Sequence, residues 1–181
     1  MIDFEIKIAE NTLKKLHIKS WNTLTMHDVL GKNIKKQKYI NTKNDLLKNL
    51  NRYVDNMLIE KTKYIENSST KDMVFEVLMA RFDIIQENRV SFIKIFKELK
   101  KSPKKIFKLF PSFLESMIVS AELAKFNVNG IKGSIRLKGL FIIYFITFYA
   151  WVDDNTFSLE KTMNALDKNL DHAEKFGKYL N

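Results

Sequence analysis

The sequence contains no cysteine, only two prolines and only five glycines among 181 residues. Without cysteine the chain cannot form a disulfide framework, a cysteine-ligated zinc site, an iron–sulfur cluster or a thiol nucleophile. A chain this poor in turn-forming residues is more typical of a helical fold than of a many-stranded sandwich. Its length suits one domain or two small lobes, with a core large enough to need no disulfide or metal.

Motifs of the common enzyme classes are absent as well. The histidines His17, His27 and His172 are isolated and lack metal-site spacing. No glycine-rich phosphate or dinucleotide loop and no Gly-x-Ser-x-Gly elbow occurs. Asp153 and Asp154 lie between two predicted helices, where capping and solvation explain them better than paired-acid catalysis. We therefore expect no enzyme activity, no catalytic residue, no metal and no cofactor.

Positive charge is in excess, with a net charge of +10 and a pI of about 9.6. This balance favours nucleic acid or another anionic surface as a partner. Of the 31 basic residues, 27 are Lys, and A/T-rich codon usage would enrich Lys at every position. The clustering of charge is therefore more informative than its total.

The longest apolar run covers residues 139–152 and is interrupted only by Thr147. A helix over this run would rise about 21 Å, less than the ~30 Å core of a bilayer. The run therefore predicts a buried core helix and no transmembrane segment. The amino-terminal residues lack the basic and long apolar stretches of a signal peptide, so we expect a cytoplasmic protein.

Apolar residues recur with helical spacing along the chain, which predicts an all-α fold of eight or nine helices. Four segments have a Ser or Thr three residues before an acid, as in a capping box at a helix start. These segments begin at Thr25, Thr42, Ser69 and Ser112. The predicted helices cover about residues 2–18, a short stretch after 25, 42–66, 70–87, 90–101, 103–110, 112–126, 131–152 and 158–180.

Trp21, Leu24, Thr25 and Asp28-Val29, followed by Tyr-Ile-Asn-Thr-Lys-Asn-Asp-Leu-Leu over residues 39–47, resemble the DNA-binding lobe of the TetR family of transcriptional regulators. The resemblance implies a helix-turn-helix lobe over residues 1–47, in which the second helix enters the major groove. Between Asp28 and Lys43 the chain is shorter than the family's usual spacing by about four residues, roughly one helical turn. The helix-turn-helix is therefore expected to be shortened.

Segments 71–83, 136–140, 150–154 and 162–167 are similar to a TetR-like subgroup from alphaproteobacteria and to TetR-like ubiquinone-biosynthesis accessory proteins. The resemblance implies a ligand-binding and dimerisation lobe over residues 48–181. Two functions follow from it. The first is a dimeric regulator that binds duplex DNA and a small apolar effector. The second is a lipid- or partner-binding protein that has lost DNA binding, as the accessory proteins have. A purely structural helical dimer is a third alternative.

A basic cluster occupies the part of the chain that matches the DNA-contacting segment. Over residues 32–48 six lysines oppose one acid, Asp45, which gives a net charge of +5. Lysines there can neutralise phosphates, while hydroxyl groups can fix the register without reading sequence. The alternative is an ordinary solvated surface. The candidate DNA-binding residues are Thr25, Lys32, Lys35, Lys36, Lys38, Tyr39 and Lys43.

Two further sets of residues follow from the resemblance. An aromatic and methionine lining among the central helices suits an apolar effector, and plain core packing is the alternative. Its candidates are Phe82, Phe92, Phe96, Phe113, Met117, Tyr144 and Phe148, with Arg81 and Arg136 as possible polar anchors. The last two helices are expected to form a four-helix dimer interface, unless their stripe packs within one chain. Its candidates are Ala150, Trp151, Leu159, Met163, Leu166, Leu170 and Ala173.

A second basic cluster, over residues 94–108, interleaves seven lysines with phenylalanines. Lys on one face and Phe on the other would suit an anionic membrane surface. The alternative, which we favour from the sequence, is a surface helix whose Phe side chains face the core. The residues are Lys94, Lys97, Lys100, Lys101, Lys104, Lys105 and Lys108, with Phe92, Phe96, Phe107 and Phe110.

Overall fold

A computed structural model describes residues 3–31 and 39–179, with side chains up to residue 175. Within these ranges the chain forms eight α-helices and no strand, which confirms the predicted all-α class. The helices are α1 (Asp3–Ile18), α2 (Met26–Leu30), α3 (Lys43–Lys61), α4 (Thr70–Glu87), α5 (Arg89–Lys100), α6 (Pro103–Leu123), α7 (Gly130–Asp153) and α8 (Glu160–Tyr179).

Three of the four predicted capping pairs form at helix starts. Before α2, the Asp28 N–H donates to Thr25 Oγ1 at 3.2 Å, and the Thr25 N–H donates back to Asp28 Oδ2 at 2.8 Å. These reciprocal bonds satisfy backbone donors that have no partner inside the helix. The other two pairs are Thr42 with Asp45 before α3 and Ser69 with Asp72 before α4.

The predicted helix break before Ser112 is wrong. α6 continues from Pro103 to Leu123 with Pro111 inside it, although proline lacks the N–H that would bond one turn back. The buried Ser112 accepts two hydrogen bonds from Asn51 Nδ2, at 2.8 Å on its carbonyl and 3.0 Å on its hydroxyl. Its hydroxyl is thus engaged by α3, and Ser112 does not act as a helix cap.

The helices group into two compact units, of which the first comprises Met1–Met57 and Ile84–Phe113. Its core is an apolar cluster from α1, α2, α3, α5 and the start of α6. Lys94 on α5 donates to the carbonyls of Leu16 at 2.6 Å and His17 at 3.0 Å, at the end of α1. These bonds satisfy carbonyls left open where α1 ends, and they position the turn that follows.

The second unit comprises Leu58–Asp83 and Leu114–Asn181. Within it α7 packs on α8, and the buried carboxylate of Asp154 holds their connection. That carboxylate accepts the N–H and hydroxyl of Thr162, both at 2.8 Å, and the N–H and hydroxyl of Thr156 at 3.0 and 2.6 Å. Burial raises the pKa of Asp154, but these hydrogen bonds outweigh it and lower the pKa to about 2. Asp154 therefore acts as a cap for α8.

The expectation that the long apolar run is a buried core helix is wrong. Burial on α7 follows a single stripe, formed by Gly133, Leu140, Tyr144, Thr147 and Trp151. The other apolar residues of α7 are exposed or half-buried. Among the described helices, α7 has the length and apolar composition to cross a membrane, a weak criterion that core helices also meet.

Candidate functional site

The candidate DNA-contacting segment begins in the first unit with a turn and a short helix. Trp21 and Leu24 are buried in the core and anchor the turn that leads into α2. α2 has five residues and ends at Gly31, whose φ of +56° lies in the region that favours glycine. The helix that the resemblance would make the first of a helix-turn-helix therefore has little more than one turn.

Thr25 and Asp28 fix the start of this short helix. Lys19 Nζ lies 2.6 Å from Asp28 Oδ1, so the carboxylate links the end of α1 to the cap of α2. The hydrogen bond from Lys19, together with those from the backbone and hydroxyl of Thr25, holds the pKa of Asp28 well below its usual range. Thr25 is exposed, and its hydroxyl is already used in the cap.

Lys43, at the first residue of α3, is engaged inside the first unit. Its Nζ donates to the carbonyls of Trp21 at 2.8 Å and Asn22 at 2.9 Å, and lies 5.8 Å from the centroid of the Trp21 ring. Burial lowers the pKa of Lys43, and the charge of Lys105 lowers it further, while Glu98 opposes the shift. Two of the three N–H groups of the Lys43 ammonium are thus used within the first unit.

Of the five remaining DNA-binding candidates, Tyr39 lies within the described residues and the other four do not. Tyr39 is 73% exposed, while its neighbour Ile40 is buried in the core and anchors the approach to α3. Tyr39 is thus placed at the surface, as a contact residue would need to be. The other four candidates, Lys32, Lys35, Lys36 and Lys38, lie outside the described residues and stay predictions from the sequence.

The candidate effector residues are divided between the two units. Phe82, Met117, Tyr144 and Phe148 belong to the second unit, and Phe92, Phe96 and Phe113 belong to the first. In the second unit the rings of Phe82 and Tyr144 stack with centroids 5.2 Å apart, and Phe148 contacts Trp151 at the same distance. Three of the seven candidates, Phe82, Tyr144 and Phe148, therefore lie in one aromatic cluster, to which Trp151 also belongs.

Arg81 gives this aromatic cluster a cationic neighbour. The side chain is only 2% exposed, and the central carbon of its guanidinium lies 5.6 Å from the centroid of the Tyr144 ring. A buried guanidinium over an aromatic face is a cation–π contact strengthened by loss of solvent. Arg136, the other proposed anchor, is exposed, and its Nη1 lies 3.4 Å from the Asn127 carbonyl.

The candidate dimer residues lie largely inside the second unit. Trp151, Leu159, Leu166 and Leu170 are buried within the chain itself, Ala150 is half-buried, and Met163 and Ala173 are exposed. Packing of the stripe within one chain, the alternative to a dimer interface, accounts for the four buried residues. These four side chains are therefore already covered without a second copy.

Sequence reasoning missed a different apolar surface, the outward face of α7. Its members recur three, four or seven residues apart and are all exposed: Ile131, Ile135, Ile142, Ile146 and Tyr149. This spacing was visible in the sequence, but apolar residues occur on every side of α7, so periodicity did not show which side packs inward.

Within the described ranges, no three His, Asp or Glu side chains are grouped so as to hold a metal ion. No family model matches the chain, and no curated protein matches its sequence. The TetR resemblance therefore rests on the sequence segments quoted for it alone.

Proposed function

We propose that this chain is a dimeric, TetR-like transcriptional regulator that binds duplex DNA through residues 25–39 and a small apolar effector in its second unit. The observation that carries the proposal is the pair of capped helix starts at Thr25 and Thr42 in one unit. They stand on the same core as α1, and the lysine-rich segment 32–38 joins them. A helix-turn-helix needs this kind of support for a segment that enters the major groove.

The charge of the joining segment supports phosphate contact over base reading. It contains four lysines and no arginine, and arginine is the better bidentate partner of guanine. Lysines that neutralise phosphates release counterions, so each contact adds about 0.9 to the slope of log affinity against log salt. Changing Lys35→Ala together with Lys36→Ala should therefore reduce that slope by about two units.

The experiment is an anisotropy titration of a labelled, mixed-sequence duplex at several salt concentrations. A matched control, Lys161→Ala with Lys168→Ala, removes two exposed lysines from α8 in the other unit. The control should keep the wild-type slope because those lysines are distant in sequence from the proposed contact. If the slope fell equally in the control variant, the affinity would depend on total charge, and this result would contradict the proposed interface.

The outward face of α7 supports the dimer part of the proposal. Ile142 and Ile146 are 55% and 51% exposed, on the side of α7 opposite to its buried stripe. A second copy that covers this face would remove apolar surface from water. Dimerisation would also present two DNA-contacting segments, as two half-sites about one helical turn apart require. An effector in the second unit would then act by shifting the population with the correct spacing.

A second function, binding of a lipid-like molecule or partner protein without DNA, has its own support. α2 is five residues long and Lys43 is engaged within the chain, which leaves less of a helix-turn-helix than DNA recognition usually uses. The cluster of Phe82, Tyr144 and Phe148 would suit an acyl or isoprenoid chain. Native mass spectrometry of the purified chain should then show a bound lipid, and a ligand-free spectrum together with duplex affinity would contradict this alternative.

A further inference from the structure

The second basic cluster lies at the end of α5 and the start of α6, and its aromatic residues are placed in two ways. Phe92 and Phe96 on α5 are half-buried, as expected of a helix whose Phe side chains face the core. On α6, Phe107 is 78% exposed and Phe110 is 40% exposed. The interpretation favoured from the sequence is therefore wrong for α6, where the phenyl groups are at the surface.

The lysines around these phenyl groups form a strongly positive surface. Over residues 97–108 six exposed lysines oppose one acid, Glu98, for a net charge of +5. The Glu98 side chain is only 17% exposed and bonds to Lys101 at 3.2 Å. Hydrogen bonds from Asn22 and then Lys101 lower the pKa of Glu98, so the acid is ionised while little of its side chain is exposed. We call this surface the basic corner: Lys97, Lys100, Lys101, Lys104, Lys105, Phe107, Lys108 and Phe110.

Helical geometry places the exposed phenyl group among lysines on the outer side of α6. Lys104, Phe107 and Lys108 are spaced i, i+3 and i+4, so their side chains share one face. The inner side of the same two turns carries Leu109, which is buried, and Ile106, which is half-buried against the core of the first unit. The basic corner therefore has an apolar side that faces the core and, in addition, the exposed phenyl ring of Phe107 among the lysines of its outer side.

We propose that the basic corner docks on a lipid bilayer that contains anionic lipid, with Phe107 inserted at the level of the headgroups. Charge complementarity supports this partner, because juxtamembrane lysines near an anionic leaflet each contribute to attraction and the effect falls off within a Debye length. The phenyl group supports it too, since interfacial segments anchor through aromatic side chains while Lys remains in the headgroup layer. A duplex backbone offers Phe107 no apolar partner, so nucleic acid is the less suitable occupant.

The test is co-sedimentation of the full chain with vesicles of phosphatidylcholine alone or with about one third phosphatidylserine. The wild type should bind the anionic vesicles and not the neutral ones. Lys104→Ala with Lys108→Ala should lower the partition constant about 30-fold, because each Lys near such a surface is worth about 1 kcal/mol. Phe107→Ser should lower it about tenfold, and Phe107→Trp should keep it near the wild-type value.

Two controls separate docking from folding and from general charge. Phe107 is largely exposed, so the circular dichroism melts of its variants should match the wild type. Lys161→Ala with Lys168→Ala removes the same charge from α8 and should leave vesicle binding unchanged. Equal binding of Phe107→Ser and wild type would overturn the proposal. It would also be overturned if the Lys104 and Lys108 variant lost duplex affinity while keeping its vesicle binding, which would make the surface a nucleic-acid contact.

Discussion

Replacing Lys43 with Met tests whether this lysine is a structural bond or a phosphate contact. The change removes two charge-assisted hydrogen bonds, to the carbonyls of Trp21 and Asn22, but keeps an apolar stem beside the Trp21 ring. The Asn22 carbonyl is exposed and can regain water, whereas the Trp21 carbonyl is partly buried. One bond of a charged donor is worth about 1.5–3 kcal/mol, and relief of the desolvated ammonium offsets part of that.

We therefore expect Lys43→Met to lower the free energy of unfolding by about 1–2 kcal/mol, or the melting temperature by about 2–8 °C. Circular dichroism melts measure the shift, with Lys48→Met, an exposed lysine on the same helix, as the control that should stay within about 0.5 kcal/mol. The slope of duplex affinity against salt should not change in Lys43→Met. An unchanged melting temperature together with a slope reduced by about one unit would refute this reasoning and make Lys43 a phosphate contact.

Three further predictions concern the second unit. Asp154→Ala should cost about 3 kcal/mol in urea unfolding, because it removes a buried acceptor of four hydrogen bonds and leaves donors without partners. The melting temperature of Lys71→Ala should be lower than wild type at neutral pH, and the difference should narrow as the pH falls below about 4. The reason is that Lys71 lowers the pKa of Asp171 from 3.8. The ion pair therefore stabilises the fold at pH values above 3.8, and this stabilisation is lost as the pH falls through the lowered pKa of Asp171. Ile142→Asn with Ile146→Asn should convert a dimer into a monomer in sedimentation velocity, and an unchanged mass would exclude the outward face of α7 as the interface.

Local signals in the sequence predicted the helix starts well. A capping pair depends on two residues three positions apart, so Thr25 with Asp28 and Thr42 with Asp45 were identified without tertiary information. Ser112 shows the limit of that reasoning. The bond from Asn51 comes from a residue 61 positions earlier, and it engages the Ser112 hydroxyl in a helix that continues past its proline. No window of sequence around Ser112 contains that partner.

The candidate site was harder to predict than the fold, because the contacts that determine it come from residues that are distant in the sequence. Lys43 was predicted to contact phosphate because it lies in a basic cluster, and no local pattern showed that its ammonium also donates to carbonyls 21 and 22 residues earlier. Phe107 was expected to face the core, as in an ordinary surface helix, but Leu109 takes the inward position on α6. Composition gives the charge of a segment, whereas tertiary contacts decide which members of it stay available to a partner.

The measurement that tests the regulator proposal most directly is the salt dependence of duplex binding for the wild type and for Lys35→Ala with Lys36→Ala. The proposal predicts measurable affinity at low salt, a steep fall as salt rises, and a slope about two units smaller in the variant. Absence of duplex binding by the wild type at low salt, or identical slopes for the two proteins, would contradict it.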